Sequence, residues 1–480
     1  MTAMEREVRD CTSEDGTRIA YCVEGDGPAL LECPGTWESV AWRVCLVRLA
    51  VVGLVAGLLA GCGAESLSFE TMAEFRQYID RVEEADEEEG QALVEDLWVT
   101  LVADDRVPLV FGEQIAFLYR GEAETVAWQG DFSEWGRREA LQGRRIGETD
   151  LWFAELRLPL DARVNYRVVL NSSEEILDPA NPHTQAGRED ANSVVAMPDF
   201  TVTSDTARRE DVESGGVSDA LVIQSESLGY EVAYRVYTPA GYDRLDGLPA
   251  LYVLDGNEFL APELGAMPTV LDNLIGDGRI QPVLAVFIDA NEPGNPSNNR
   301  RESDFLTHGE EFAKFVAEEL VPAIDGGYRT DQSADARVIQ GISFGGFAAS
   351  YIAALHSDQF HKTAMYSPTF WLYDSPQALE DLIPDLPMLE ETILTLETIG
   401  ARVDEALACV SDAGVSCPAP LDLFMSAGIP EWDVGETPRE TAATFEEQGV
   451  PHLFIEVQEG HNWGHWSGLL DEMLVYFFGS

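Results

Sequence analysis

At 480 residues the chain is too long for one small core and predicts two or three folding units. Its 45% hydrophobic and 24% charged residues exclude a wholly disordered, collagen-like or many-span membrane protein. The net charge of −56, from 30 basic and 86 acidic residues with Lys314 and Lys362 the only lysines, argues against nucleic acid and against bare anionic membrane surfaces as partners, because both need Lys/Arg neutralisation.

Residues 44–63 read VCLVRLAVVGLVAGLLAGCG, with Arg48 ahead of an uncharged run from Leu49 to Ala60. That run falls short of the roughly 20 residues a spanning helix needs and fits a secretory hydrophobic region of about 7 to 15. Its ending, Leu59-Ala60-Gly61-Cys62, resembles a bacterial lipobox. The resemblance implies a lipoprotein signal peptide over 44–61, lipidation of Cys62, and an exported protein held to a bacterial membrane, periplasmic or at the cell surface, through that lipid alone. Residues 1–43 are then expected to be a mis-assigned extension, with translation starting near Val44 or Val47. Within them the stretch from Asp15 to Trp37 looks like the opening strands of an unrelated hydrolase. Of the cysteines outside this region, Cys409 and Cys417 are candidates for a disulfide in an oxidising compartment.

Over residues 62–107 apolar side chains recur at helical spacing, as Met72, Phe75, Tyr78, Ile79 and Val82 and then Leu93, Leu97 and Leu101, which predicts two short helices. The acidic run EEADEEEG between them reads as a solvated hinge and not a metal site. From 108 to 200 the pattern changes to alternation punctuated by turns, the signature of a β-sandwich. The segments FLYRGEAETVAWQGDFSEW (117–135), DLWF (150–153) and LDPANP (177–182) resemble the early-set domain, related to glycogen-binding modules, that precedes the catalytic unit in enterochelin-esterase-like proteins. Trp128, Trp135 and Trp152 are candidates for stacking on sugar or aromatic rings, with core packing favoured for Trp128 because it sits in an alternating strand. Residues 201–218 read as a polar linker.

From 219 to 480 short apolar strands alternate with helical stretches, notably Glu310 to Ile324 and Gly345 to Leu355. This predicts an α/β unit with a mostly parallel sheet covered on both faces. Gly341-Ile342-Ser343-Phe344-Gly345 is a G-x-S-x-G between the strand ARVIQ and a small-residue helix. A sharp strand-to-helix turn exposes the serine hydroxyl and lets only glycine flank it, so Ser343 is the expected nucleophile. A base is needed, and His461, in the loop EGHNWGHW after the last strand, is favoured over its rival His465. The carboxylate that orients the base is sought after the strand LDLFMS, where Glu431, Asp433 and Glu436 stand, with Glu431 first and Asp433 second. Oxyanion donors are expected from the backbone N–H of Phe344 and of Gly256 or Asn257 at the end of LYVLDGNEF.

The segments LYVLDGNEF, VFIDANEPGNPSNNRRESDF, EELVPAIDGGYRT, VIQGISFGGFAASYIAALHSDQF, YSPTFW and EGHNWGHW make residues 229–478 resemble the enterochelin-esterase and esterase D type of α/β-hydrolase. The resemblance implies Ser343 as nucleophile, His461 as base, Glu431 or Asp433 as acid, and Arg301 and Trp371 lining the substrate cleft. The expected activity is serine carboxylic-ester hydrolysis through an acyl-enzyme, with no metal and no cofactor. Its substrate is a small-molecule or glycan-linked ester: a siderophore lactone, a feruloyl or acetyl ester, or a small soluble ester. The competing expectations are a glycan-binding surface lipoprotein with an inactive hydrolase unit, and an acyltransferase.

Overall fold

The computed structural model describes residues 7–12, 18–23, 67–188, 190–379, 383, 386, 388–408, 421–428 and 432–479. The signal-like run 44–61 and Cys62, Cys409, Cys417 and Glu431 lie outside them. The chain divides into two compact units, Met1–Ser68 and Phe69–Ser480. In the first, Glu7–Thr12 pairs antiparallel with Arg18–Val23.

The second unit opens with the helices Met72–Glu84 and Glu87–Ala103. Each starts on a side-chain cap, Thr71 accepting from the N–H of Glu74 and Asp86 from that of Glu89, which satisfies donors the first helical turn leaves orphaned. The apolar stripe of the first helix packs onto β-structure, with Phe75 against the rings of Phe111 and Phe153. Two antiparallel sheets follow. One has the order Thr184–Gln185, Asn192–Ala196, Arg163–Leu170, Val126–Gly130, Leu141–Gln142, with Glu174–Ile176 also on Arg163–Leu170; the other runs Leu109–Phe111, Gln114–Arg120, Leu151–Arg157, Arg144–Arg145. Inward residues such as Ile115, Phe117, Val164, Tyr166 and Val168 form one core. Trp128 lies wholly inside it against Phe117, and Trp152 is buried in the same cluster with its Nε1 donating to the carbonyl of Gly121. Neither ring therefore offers a face to a sugar, because each fills the space between the sheets.

The remaining residues form a nine-stranded sheet. Its strands are β1 Gly216–Val217, β2 Leu221–Gln224, β3 Glu231–Thr238, β4 Ala250–Val253, β5 Leu284–Ile288, β6 Arg337–Ile342, β7 Lys362–Tyr366, β8 Asp422–Gly428 and β9 His452–Val457, in the order β1-β3-β5-β4-β6-β7-β8-β9 with β2 also on β3. From β5 to β9 all pairings are parallel, while β1, β2 and β5 run antiparallel to β3. Both faces are covered. Along β4, Ala250 and Tyr252 enter one hydrophobic cluster and Leu251 and Val253 the other, so the strand reads as a continuous apolar run and not an alternating one. This is the α/β-hydrolase fold, preceded by an all-β sandwich.

The stretch expected as one regular helix from Glu310 to Ile324 is a helical run over 303–327 that widens into π turns at Ser303–Thr307 and Phe315–Leu320. Pro322, two residues past the second of these, has no N–H to return to the preceding turn, and the looser winding accommodates that loss. Strand order reverses at β4, whose neighbours are β5 on one side and β6 on the other. Ligands of open α/β sheets bind outside the carboxyl ends of the strands at such a switch point.

Candidate active site

Ser343 follows β6 directly and caps the helix Phe344–Leu355 with φ 55° and ψ −122°. A non-glycine residue rarely occupies this region, and holding it there costs about 1–3 kcal/mol, which the surrounding structure must supply. The flanking glycines explain how the turn closes. A Cβ on Gly341 would stand 2.2 Å from the carbonyl oxygen of Gly345, so strand end and helix start touch directly. The Ser343 N–H donates to the carbonyl of Tyr366 at 2.9 Å, which ties the turn to β7.

β4 lies beside β6, with Val253 opposite Gln340, so the turn after β4 faces the serine turn. There Asp255 adopts a left-handed backbone (φ 54°), and Gly256 sits so tightly on β5 that a Cβ would lie 2.5 Å from the carbonyl carbon of Phe287. The two turns meet at the carboxyl end of the sheet, where a Cβ on Gly345 would stand 3.0 Å from Asp255 Oδ2, and the N–H of Phe344 is one of the donors a helix start leaves without an intrahelical partner. Arg301 is buried between the two turns. Its Nε donates to Asp255 Oδ1 at 2.8 Å and its Nη2 to the carbonyl of Ile342 at 2.9 Å. Arg301 lines the cleft, as expected, with its guanidinium engaged in joining the two walls.

Ser343 and His461 line one cleft of about 230 Å³. Ile342, Arg301, Glu258, Asn462, Trp463 and Trp466 complete its hydrolase side, and sandwich residues that include Asn165, Arg188 and Asn192 form the opposite wall. Arg188 reaches Glu258 Oε1 at 2.7 Å and Asp255 Oδ1 at 3.7 Å. Burial, reinforced by the nearby charge of Asp255 and opposed by Arg188 and Arg301, pushes the Glu258 carboxyl up to about 7. A second cavity, about 490 Å³, shares Arg188 and Glu258 with the first; the rest of its lining mixes the polar Asn257, Asn291, Ser297 and Asn299 with the apolar Ala261, Leu264 and Pro296 and the acidic Glu302. A larger one, about 660 Å³, includes Arg163, Phe200, Glu459 and Asp471 and has neither Ser343 nor His461 in its lining.

His461 packs edge-on against Trp466, centroids 5.0 Å apart at 89°. His465 is fully buried one turn on, with Nε2 3.0 Å from Ser426 Oγ and Nδ1 3.4 Å from Ser367 Oγ. It is a hydrogen-bonded core histidine outside the cleft lining. Trp371, expected in the cleft, starts a short helix and packs against the hydrophobic cluster instead, because its turn faces the helix Leu389–Ala408. Of the acid candidates, Asp433 falls within the helix Trp432–Gln448 that follows β8. Among the described residues no cluster of three or more His, Cys, Asp or Glu side chains could hold a metal ion.

Three contributors were not singled out from the sequence: Glu258, Arg188 and, beneath the histidine loop, Asp131. Glu258 lies inside the motif LYVLDGNEF, one residue beyond the expected oxyanion donors Gly256 and Asn257. Asp131 lies inside the segment 117–135, but its contact with the histidine loop, like that of Arg188 with the cleft, has no local signal, since both reach the site only through packing of the sandwich on the hydrolase unit.

Residues 225–391 match the model of the family described as "Putative esterase". The chain is 30% identical over 162 residues to an endo-1,4-beta-xylanase/feruloyl esterase of Xylanibacter ruminicola, a match covering 32% of this chain and 22% of that protein. It is 26% identical over 213 residues to the iron(III) enterobactin esterase of Escherichia coli, covering 44% of this chain and 50% of that one. The chain thus spans about a fifth and half of the length of these two relatives. Among solved structures, ferric enterobactin esterase from Salmonella typhimurium superposes with a TM-score of 0.56 at 19% identity, over 76% of this chain and 93% of that one. The Shigella flexneri enterobactin esterase solved in the presence of enterobactin gives 0.54 at 20%, over 76% and 92%. At such identities the likeness is one of fold. Residues 225–391 therefore resemble an esterase-family module, and the chain has an α/β-hydrolase fold of the kind seen in the enterobactin esterases.

Proposed function

We propose that the protein is a serine carboxylic-ester hydrolase. The observation that carries this reading is Ser343, held at φ 55° on the turn between β6 and its helix and sharing one cleft with His461. In the proposed reaction Ser343 Oγ attacks the ester carbonyl carbon while His461 takes the hydroxyl proton. The tetrahedral oxyanion is met by the N–H of Phe344 and one from Gly256 or Asn257; a single such donor is typically worth about 3–4 kcal/mol. Collapse breaks the bond to the alcohol, which leaves with the proton from His461. Water then attacks the acyl-enzyme with His461 again as base, releasing the acid and restoring Ser343. Glu431 or Asp433 is assigned to orient His461 and to stabilise its cation.

The second cavity, which shares Arg188 and Glu258 with the cleft that holds Ser343 and His461, gives the alcohol part of an ester a place, and the overall negative charge weighs against a highly anionic ligand. The substrate classes considered are feruloyl or acetyl esters and siderophore lactones, the first two favoured on charge. Export as a lipoprotein, anchored through Cys62, is part of the proposal and rests on the lipobox-like ending of residues 44–62. Mass spectrometry of the N-terminal peptide tests it: a diacylglyceryl-modified Cys62 is expected, and abundant peptides from residues 1–40 would contradict it.

The esterase reading is tested with p-nitrophenyl acetate and butyrate on the parent protein and Ser343→Ala. Hydrolysis by the parent alone, with covalent labelling of Ser343 by a fluorophosphonate, is the expected result. A folded parent that neither hydrolyses nor labels would overturn it.

A further inference from the structure

The loop that carries His461 has no regular structure of its own between β9 and the short helix Trp463–Gly468, so whatever fixes it must come from elsewhere. It is gripped by the sandwich. Arg163 donates its N–H to the carbonyl of Gln458 at 3.0 Å, and its Nη1 pairs with Glu459 Oε2 at 3.2 Å. The closer grip is Asp131, a carboxylate only 2% exposed. Its Oδ2 accepts from the N–H of Asn165 at 2.7 Å and from Asn462 Nδ2 at 3.0 Å, and its Oδ1 accepts from Trp135 Nε1 at 2.8 Å. On the other side of His461, Gly460 lies so near that a Cβ there would stand 2.1 Å from the Asp131 carboxyl carbon. Both neighbours of the histidine are thus set against one carboxylate of the other domain. Asn462 works in two directions: its Oδ1 caps the following helix by accepting from Gly464 and His465, while its Nδ2 faces Asp131.

We infer that Asp131 is a positioning residue for His461, and that the sandwich belongs to the catalytic apparatus through this contact. The inference rests on the esterase reading above. A general base must hold its place within a fraction of an ångström, and a shift of about 1 Å can cost on the order of 100-fold in rate. A carboxylate desolvated by burial and locked by three donors is a firm anchor, because moving it would leave a buried charge unpaired.

The test uses the full chain and Asn462→Asp. This change keeps a capping oxygen for Gly464 and His465, removes the donor to Asp131 and sets a second carboxylate against it. Expected is a kcat for p-nitrophenyl acetate lower by about 10- to 100-fold, with KM changed by less than about threefold and phosphonylation of Ser343 slowed in step. Asp131→Asn combined with Asn462→Asp restores one donor and one acceptor with exchanged polarity, and kcat is expected to recover in part, which a loss of general stability would not produce. Should Asn462→Asp not fold, Asn462→Ser, uncharged and still able to cap, carries the same test. A folded variant whose kcat stays within about twofold of the parent overturns the inference while leaving the esterase reading intact. A parent inactive toward every ester and unreactive with the probe overturns both, so the two failures are told apart.

Discussion

Arg301 and Asp255 form a buried ion pair, Nε to Oδ1 at 2.8 Å, that bolts the turn after β4 to the residue before Ser343, since the same guanidinium donates to the carbonyl of Ile342. Both partners are almost wholly out of water. Removing one partner of such a pair leaves the other charge uncompensated, at a typical cost of about 3–5 kcal/mol. Arg301→Gln is therefore expected to lower unfolding free energy by that order and to reduce ester hydrolysis in the protein that remains folded. Arg301→Lys is expected to rescue little, because an ammonium cannot serve Asp255 and Ile342 with a planar fork. Urea denaturation of the three proteins checks this; a Gln variant as stable as the parent would show that the pair carries no structural weight.

The raised Glu258 carboxyl makes a pH prediction. Its value in the folded protein, about 7, lies above the ordinary 4.5, so between those values the folded state binds more protons than the unfolded one. Stability from this group is then present below pH 4.5 and is lost as pH rises toward 7. Glu258→Gln removes the titration. Relative to the parent, the variant is expected to gain stability progressively above pH 4.5, reaching on the order of 3 kcal/mol by pH 8, less whatever Arg188 loses with its partner. Thermal melts of both proteins across that range provide the measurement, and parallel curves would remove Glu258 from the pH response.

What could be read from the sequence was local. G-x-S-x-G announces its own turn, because the two glycines that permit close backbone approach lie within four residues of each other, and chain order points to a histidine after the last strand. Side-chain direction was not legible: Arg301 and Trp371 sit in quoted motifs, yet one is turned into an ion pair and the other onto the core. Contacts between domains were hidden for a different reason. Asn462 and Asp131 are 331 positions apart, and no periodicity links them. Trp128, by contrast, was read as core from strand alternation alone, and it is buried.

The two histidines of EGHNWGHW are expected to fail differently. His461→Ala removes the proposed base from a cleft wall, and kcat should fall by about 10⁴-fold or more with stability changed by about 1 kcal/mol or less. His465→Ala empties a sealed site and strands the hydroxyl of Ser426, while that of Ser367 keeps the indole N–H of Trp466, so about 2–4 kcal/mol of stability should be lost while the folded fraction still labels with a fluorophosphonate. Paired unfolding and labelling measurements distinguish them, and the opposite pattern would exchange their roles.

The carboxylate proposed to orient His461 would come from the segment after β8. In the sheet Gly428, the final residue of β8, stands opposite Val457, the final residue of β9, so the segments carrying acid candidates and histidine leave the same edge at the same level. Glu431 follows Gly428 after two residues and Asp433 after four. A carboxylate that fixes the imidazole tautomer is worth about 10⁴-fold in kcat when replaced by its amide. Glu431→Gln is accordingly expected to lose about that factor without losing the fluorophosphonate-reactive fold, whereas Asp433→Asn should stay within about tenfold of the parent. If Asp433→Asn alone collapses kcat, the role passes to Asp433. If neither does, His461 works without a carboxylate from this loop.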